Sequence, residues 1–355
     1  MIKIGLLGAG RIAGHHIKEI KKFKLFKIIA FCDLNIDKIK NHRINNKINI
    51  YNHYDEMLKK EKTIDLVVIM TPSGMHYEHA KKIITKYKKN IIIEKPICLK
   101  ASQVVELYKL AEKNKVNIFP VFQNRYNKAI QFLKKKKTMN ALGKIRLISV
   151  QVRWCRPQRY YDLADWRGTF SHDGGALTNQ GIHHLDATRY LCGEIKSVNA
   201  KMSTLGANIE VEDSVVANFE LRSGALGTLE ITTAARPIDY NATISLVGSK
   251  GLAQIGGWAL NELQIYSPNQ KLCKINSEKI PTAYGFGHFY FYRDIKNYFS
   301  KFTKFPVSYN DCLSTISLLN SFYISDEKKK SVYLKKIMDS KRLGIKNEKI
   351  SKKYR

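Results

Sequence analysis

Short apolar runs punctuate the first third of the chain. Ile2 to Leu7, Phe26 to Phe31, Leu66 to Met70 and Ile91 to Ile93 are nearly continuous in apolar side chains and have strand length. A run without alternation predicts a strand covered on both faces. Between the runs, Ile12, His16, Ile17 and Ile20 recur at helical spacing, and helices are predicted from about Tyr77 to Lys88 and Ser102 to Glu112. Asn117 to Phe122 reads as a further strand. Strand and helix therefore alternate, which predicts a doubly wound parallel sheet.

From Gly143 the period becomes two. Ile148, Val150, Val152 and Trp154 alternate with Ser149, Gln151 and Arg153; Val215, Ala217, Phe219 and Leu221 alternate with Val216, Asn218 and Glu220. Leu229 and Ile231 continue the pattern after the turn at Ser223-Gly224, and Gly248 to Gly251 separates Thr243–Val247 from Leu252–Ile255. These are strands with one wet or interface face, joined largely as hairpins. The expected architecture is α/β, with an N-terminal doubly wound parallel sheet over residues 1–122. A C-terminal α+β domain with an open, mostly antiparallel sheet is expected over 123–334, ending in late helices at about His288 to Phe299 and Ser308 to Glu327. A basic tail, 335–355, follows; it holds nine Lys/Arg against two acids and is expected to be mobile.

The loop after the first strand carries candidate chemistry. Gly8-Ala9-Gly10-Arg11-Ile12-Ala13 joins that strand to the first helix. Gly8 permits a tight turn, Gly10 lets backbone approach a pyrophosphate, and Ala13 lets helix and strand pack closely. The helix start supplies N–H groups and positive dipole for phosphates. Asp33 ends the second strand, 23 residues after Gly10, where a carboxylate meets adenosine ribose hydroxyls and repels a 2′-phosphate. NAD is the expected cofactor, with Gly8, Gly10, Arg11, Ile12 and Asp33 in its site. Further loops end strands three and four: Thr71-Pro72-Ser73-Gly74-Met75-His76 and Glu94-Lys95-Pro96. A charged pair after an apolar strand needs a ligand or partner.

Lysine and arginine number 61 against 30 acids, a net charge of +31. The excess is spread along the chain, so it reads as compositional drift and not as a nucleic-acid footprint, although a positive field draws phosphate-bearing substrates. Six cysteines are scattered without a CxxC pair, as for reduced structural thiols. His76 and His79 have zinc spacing but no further ligands nearby, so no metal is expected. No apolar run reaches membrane-span length, and the chain opens directly on a strand without a secretory pattern; a cytoplasmic protein is expected.

GAGRIA, Asp33, TPSGMH and EKP, in this order, resemble the glucose-fructose oxidoreductase/inositol dehydrogenase (Gfo/Idh/MocA) family over nearly the whole chain. The resemblance implies a Rossmann domain, a homodimer or homotetramer through the exposed C-terminal sheet, and a cofactor site that also takes in Thr71, His76, Glu94 and Lys95. Gly174-Gly175-Ala176-Leu177-Thr178-Asn179-Gln180-Gly181-Ile182-His183-His184-Leu185-Asp186 is similar to its second motif, with Asn179 where the family usually has Asp. Asn is not a base, so acid–base work falls on Lys95 and His183. The unperturbed imidazole titrates near neutrality, which suits a histidine here to general-base work, and Asp186, three residues on, is placed to sit nearby.

Val121 to Asn127, Arg159-Tyr160-Tyr161, Trp166-Arg167-Gly168 and Asn179 to His183 look like the UDP-N-acetylglucosaminuronate 3-dehydrogenases of surface (lipopolysaccharide) polysaccharide pathways. That resemblance implies oxidation of the C3 hydroxyl of a nucleotide sugar. Lys95, Asn124, Arg156, Tyr160, Tyr161, Asn179 and His183 are its candidate substrate residues, and Asn124, Trp166 and Arg167 join the cofactor set. Arg125, Arg156, Arg159 and Arg167 are available for carboxylate or phosphate pairing. His288 is a candidate for closing the substrate pocket or capping a helix start, while His15, His16, His42 and His53 carry no readable role. Two alternatives stay open: a dehydrogenase of a free cyclic polyol such as an inositol, and a non-catalytic NAD-sensing or nucleic-acid-binding protein.

Overall fold

The structure, a computed structural model, describes residues 1–42, 44 and 48–355. It divides into two compact units, 1–121 with 288–312 and 347–355, and 122–287 with 313–346.

The first unit is built on six parallel strands: β1 (Ile2–Leu7), β2 (Phe26–Cys32), β3 (Asn49–Tyr51), β4 (Leu66–Ile69), β5 (Asn90–Ile93) and β6 (Ile118–Pro120). Their order is β3-β2-β1-β4-β5-β6. The order reverses between β1 and β4, and ligands of such sheets bind at the strands' carboxyl ends beside that reversal. Gly8, Asp33, Thr71 and Glu94 follow the ends of β1, β2, β4 and β5. Leu66 to Ile69 and Ile91 to Ile93 are fully buried, as strands covered on both faces must be.

Residues 288–312 fold with this unit and not with the second domain. The Gly287–Lys301 helix explains why. Phe289 stacks on Phe23 at 5.3 Å and Tyr298 meets Phe119 at 5.1 Å, while Phe305, just beyond the helix, meets Phe119 at 5.2 Å. This aromatic face covers the sheet's flank, a long-range partnership that sequence order hides. The tail also departs from expectation. Glu348–Tyr354 is a helix, capped by the Asn347 side chain, which accepts from Ile350 N–H at 3.1 Å. Arg355 beyond it pairs with Glu78 and Glu348.

The second unit carries an eight-stranded sheet. Its strands are β7 (Ile145–Arg153), β8 (Ile195–Ser203), β9 (Ser214–Leu221), β10 (Leu226–Thr232), β11 (Asn241–Gly248), β12 (Leu252–Gly256), β13 (Glu262–Tyr266) and β14 (Val332–Tyr333). The order is β13-β12-β11-β7-β10-β9-β8-β14. Only the central β7–β10 pair is parallel. Ile148, Val150 and Val152 are buried, as the alternation predicts. On the opposite face Leu226, Leu147, Val247 and Leu252 lie side by side across four strands, 57, 52, 36 and 45% exposed.

Candidate active site

The carboxyl end of β1 turns at Gly8, whose φ is +100°; a Cβ there would lie 2.7 Å from the Met70 carbonyl oxygen, so only glycine fits. A Cβ on Gly10 would meet nothing within 4 Å. The protein itself therefore does not require glycine at that point, and a close-approaching ligand does. Ile12 opens the Ala13–Ile20 helix without a side-chain cap, which leaves the helix start to an anion. The carboxylate of Asp33 accepts from Ala9 N–H at 2.7 Å and from Asn35 N–H at 2.9 Å. These bonds fix an acid beside the glycine turn. Glycine cradle, uncapped helix start and acid together fit NAD.

After β5, Glu94 is buried and Lys95 half-buried. Glu94 Oε1 lies 2.9 Å from His16 Nε2 and 3.5 Å from His288 Nε2, and Oε2 accepts the Lys95 N–H at 3.0 Å. Burial alone would push the carboxyl up; hydrogen bonds from His16 and His288 overrule it and hold it well below the usual range. Burial also lowers the pKa of His16 and keeps that ring neutral. A carboxylate only accepts, so His16 donates from Nε2, and Nδ1 accepts from the Tyr292 hydroxyl at 2.6 Å. A buried anion thus anchors the backbone that presents Lys95. His76, also buried, lies between the loops after β4 and β5, with Nδ1 2.7 Å from the Pro96 carbonyl and Nε2 2.9 Å from the Thr71 carbonyl, and its single ring proton serves one of them.

In the second unit the double glycine answers to packing. A Cβ on Gly174 (φ +69°) would fall 2.5 Å from Thr178 Cβ, and one on Gly175 would fall 2.1 Å from the Glu212 carboxyl carbon. Glu212 Oε1 accepts from the Tyr323 hydroxyl at 2.8 Å and from Leu177 N–H at 3.2 Å. Burial outweighs these bonds and pushes this carboxyl up to about 7. On this base stands the wide turn Leu177–Gly181, which carries Asn179, followed by the Ile182–Cys192 helix, which carries His183. Asn179 Nδ2 donates to Asp173 at 2.5 Å. His183 is half-buried, whereas His184 points into the core, where burial lowers its pKa to about 4. The Gln123 side-chain amide nitrogen lies 3.2 Å from His183 Nε2. An amide NH2 only donates, so that Nε2 accepts and the ring proton sits on Nδ1.

Three expectations are corrected here. Asp186, expected near His183, is bonded to other groups: Arg125 Nε and Nη2 each donate to it at 2.7 Å and Thr315 Oγ1 at 2.9 Å. Arg125 is accordingly buried, stacked on Tyr190 at 4.6 Å, and is not available to a ligand's charge. His288 belongs to the first unit, against Glu94. Arg167 donates to the Tyr160 hydroxyl at 2.7 Å and lies over Trp166 at 4.6 Å; Arg156 lies over Trp154 at 5.3 Å. Tyr161 is buried, its hydroxyl 2.9 Å from Thr233 Oγ1. Asn124 is buried in the turn Gln123–Tyr126. Arg11 is exposed beside the glycine turn.

The structure superposes on the WlbA dehydrogenase of Bordetella pertussis, solved in complex with NADH and UDP-GlcNAcA, with a TM-score of 0.88; the two are 30% identical over 94% of this chain and 98% of the other. The Chromobacterium violaceum WlbA, solved with the same two ligands, gives 0.86 and 32% over 94% and 96%. The chain belongs to the Gfo/Idh/MocA family. Residues 2–122 match the oxidoreductase family, NAD-binding Rossmann fold, and 130–254 match the GFO/IDH/MocA C-terminal domain. Among curated relatives, myo-inositol 2-dehydrogenase of Thermotoga maritima is 26% identical over 260 residues, 70% of this chain and 73% of its own length. Family membership makes the chain an NAD-dependent oxidoreductase and gives the Gly8–Asp33 cradle its ligand. No helix among the described residues is long and apolar enough to cross a membrane.

The sequence reading missed His16, Gln123 and Glu212. A histidine on the apolar stripe of the first helix is the signal that could have singled out His16. For Gln123 and Glu212 the partners are 60 and 111 residues away, and no local pattern marks them.

Proposed function

We propose that this dehydrogenase oxidises the C3 hydroxyl of UDP-N-acetylglucosaminuronate, in the cytoplasm and in service of surface polysaccharide synthesis. The observation that carries the reading is the likeness to two WlbA enzymes at 30 and 32% identity over 94% of the chain, against 25–26% for the sugar and inositol dehydrogenases. Bound NAD supplies the hydride acceptor. Lys95 hydrogen-bonds the reacting hydroxyl, its backbone fixed by Glu94. His183 Nε2, the acceptor nitrogen in its present tautomer, takes the hydroxyl proton once substrate displaces the Gln123 amide. Arg156, Arg167 and Tyr160 offer cations and a ring face to a uronate or diphosphate, and Asn179 a donor to sugar hydroxyls. Thr71, Trp166 and Arg167 complete the cofactor set. The row Leu147, Leu226, Val247 and Leu252 supports self-association through the sheet as a dimer or tetramer.

The inositol dehydrogenase among the relatives favours one second reading, a free polyol substrate. Absorbance of NADH with a panel of UDP-sugars and free inositols separates the two. NADH formed with a UDP-hexuronate, and reduced about 10²- to 10⁴-fold in His183→Ala and Lys95→Ala, is expected. Turnover of inositol alone overturns the nucleotide-sugar assignment.

A further inference from the structure

His79 shares the short His76–Lys82 helix with His76, yet nothing so far uses it. It is buried, and Tyr54 packs edge-on against its ring at 4.9 Å. Its Nε2 lies 3.0 Å from the carbonyl oxygen of Tyr354, in the last helix, and its Nδ1 lies 3.0 Å from Thr71 Oγ1. Burial lowers its pKa to about 3, so the ring is neutral and carries one proton. A carbonyl only accepts, which places that proton on Nε2. Nδ1 is then the acceptor, and the Thr71 hydroxyl must donate to it. The rotor of Thr71 is fixed as a consequence, with its lone pairs turned away from His79. The Thr71 carbonyl points elsewhere, 2.9 Å from His76 Nε2.

We propose that His79 is a positioning residue for the NAD site: through it, the helix Glu348–Tyr354 holds the Thr71 hydroxyl at the carboxyl end of β4 in one orientation. The start of that helix is closed by the Asn347 cap, and at its Tyr354 end Arg355 reaches Glu78 on the His76–Lys82 helix with Nε–Oε1 at 2.5 Å and Nη2–Oε2 at 3.1 Å. The last segment of chain is thereby a strap on a cofactor loop and not a free basic tail. The inference rests on the assignment of Thr71 to the cofactor site.

The test is NADH binding to the full chain without any sugar, followed by fluorescence titration, with the thermal midpoint recorded for each variant. His79→Phe keeps the ring that Tyr54 packs against but removes both hydrogen bonds; NADH affinity is expected to fall roughly tenfold. His79→Gln can still donate to Tyr354 and accept from Thr71, and it is expected to restore most of the loss at a similar thermal midpoint. The double variant Asn347→Ala/Arg355→Ala loosens the strap and is expected to weaken NADH binding, with no further loss when His79→Phe is added. Wild-type affinity in His79→Phe, or equal damage in His79→Gln, overturns the proposal. Thr71→Val separates the two failures. Wild-type affinity there removes Thr71 from the cofactor site and the proposal falls with it, while weakened binding in Thr71→Val beside an unaffected His79→Phe rejects the strap alone.

Discussion

Glu94 and Glu212 are both buried carboxyls that hold up a loop carrying candidate chemistry, and they titrate in opposite directions. Glu94, in the first unit, faces two imidazoles and a backbone N–H. Glu212, in the second, faces one hydroxyl and the backbone N–H groups of Leu177 and of Glu212 itself, and the Arg342 charge is the least of the influences that lower it. Desolvation is the leading influence on each; what differs is the kind of donor, two imidazoles at Glu94 against a single hydroxyl at Glu212. Glu94 is kept ionised and anchors Lys95 as an anion. Glu212 exchanges its proton near neutrality beneath the turn that carries Asn179. One loop is thus built on a permanent charge and the other on a group that changes charge in the physiological range.

The largest effect is expected from Glu94→Ala, which leaves the His16 Nε2–H and the Lys95 N–H without their acceptor. Each buried donor left unsatisfied costs about 1–3 kcal/mol, and denaturant unfolding should show the sum. The folded-state carboxyl lies below its unfolded value, so its contribution is complete above about pH 4.5 and drains away as pH falls through the folded value. The gap between wild type and Glu94→Ala should therefore narrow in acid. A gap that stays constant with pH would mean that Glu94 acts by packing and not by charge.

Glu212→Gln should give the reverse sign. A folded carboxyl near 7 instead of 4.5 favours the folded state below about pH 4.5, and that advantage is lost as pH rises through 7. The full difference is about 3 kcal/mol. Glu212→Gln is expected to lose this slope and to match or exceed wild-type stability at pH 8. A Glu212→Gln protein that keeps the slope would place the titration elsewhere.

The same contrast governs what the sequence made legible. The Glu94 loop was readable because its parts are local: a strand of apolar residues ends in a charged pair, and burial of that pair demands a partner. The parallel sheet, the glycine turn and Asp33 were readable for the same reason, since strand, turn and helix follow one another within 33 residues. The base of the second loop was not. Gly174 and Gly175 were visible, but the carboxyl and hydroxyl that press against them come from 212 and 323, far along the chain. Asp186 looked like a partner for His183 because helical spacing put it close; the guanidinium of Arg125, 61 residues upstream, claimed it instead. Spacing on one helix shows which side chains share a face, not which distant donor will outcompete a neighbour. The 288–312 segment failed to read for a related reason, because aromatic stacking on Phe23 and Phe119 leaves no mark in its own period.

The smallest effect sharpens the comparison most. Tyr323→Phe removes a single hydroxyl that donates to Glu212 Oε1, lies 2.7 Å from Thr178 Oγ1 and accepts from Gly175 N–H at 3.3 Å. The expected loss of stability is only about 1 kcal/mol. Its effect on Glu212 is more telling. With that donor gone the ionised form loses its best partner while desolvation is unchanged, so the carboxyl should titrate at still higher pH than about 7. The infrared C=O band of a buried protonated carboxyl, absent from Glu212→Gln, reads this directly. A shift of that band's midpoint to higher pH in Tyr323→Phe means that donors alone separate the two carboxyls. An unmoved midpoint means that Glu212 differs from Glu94 through burial depth, and then adding donors beneath the Asn179 turn would not convert it into a permanent anion.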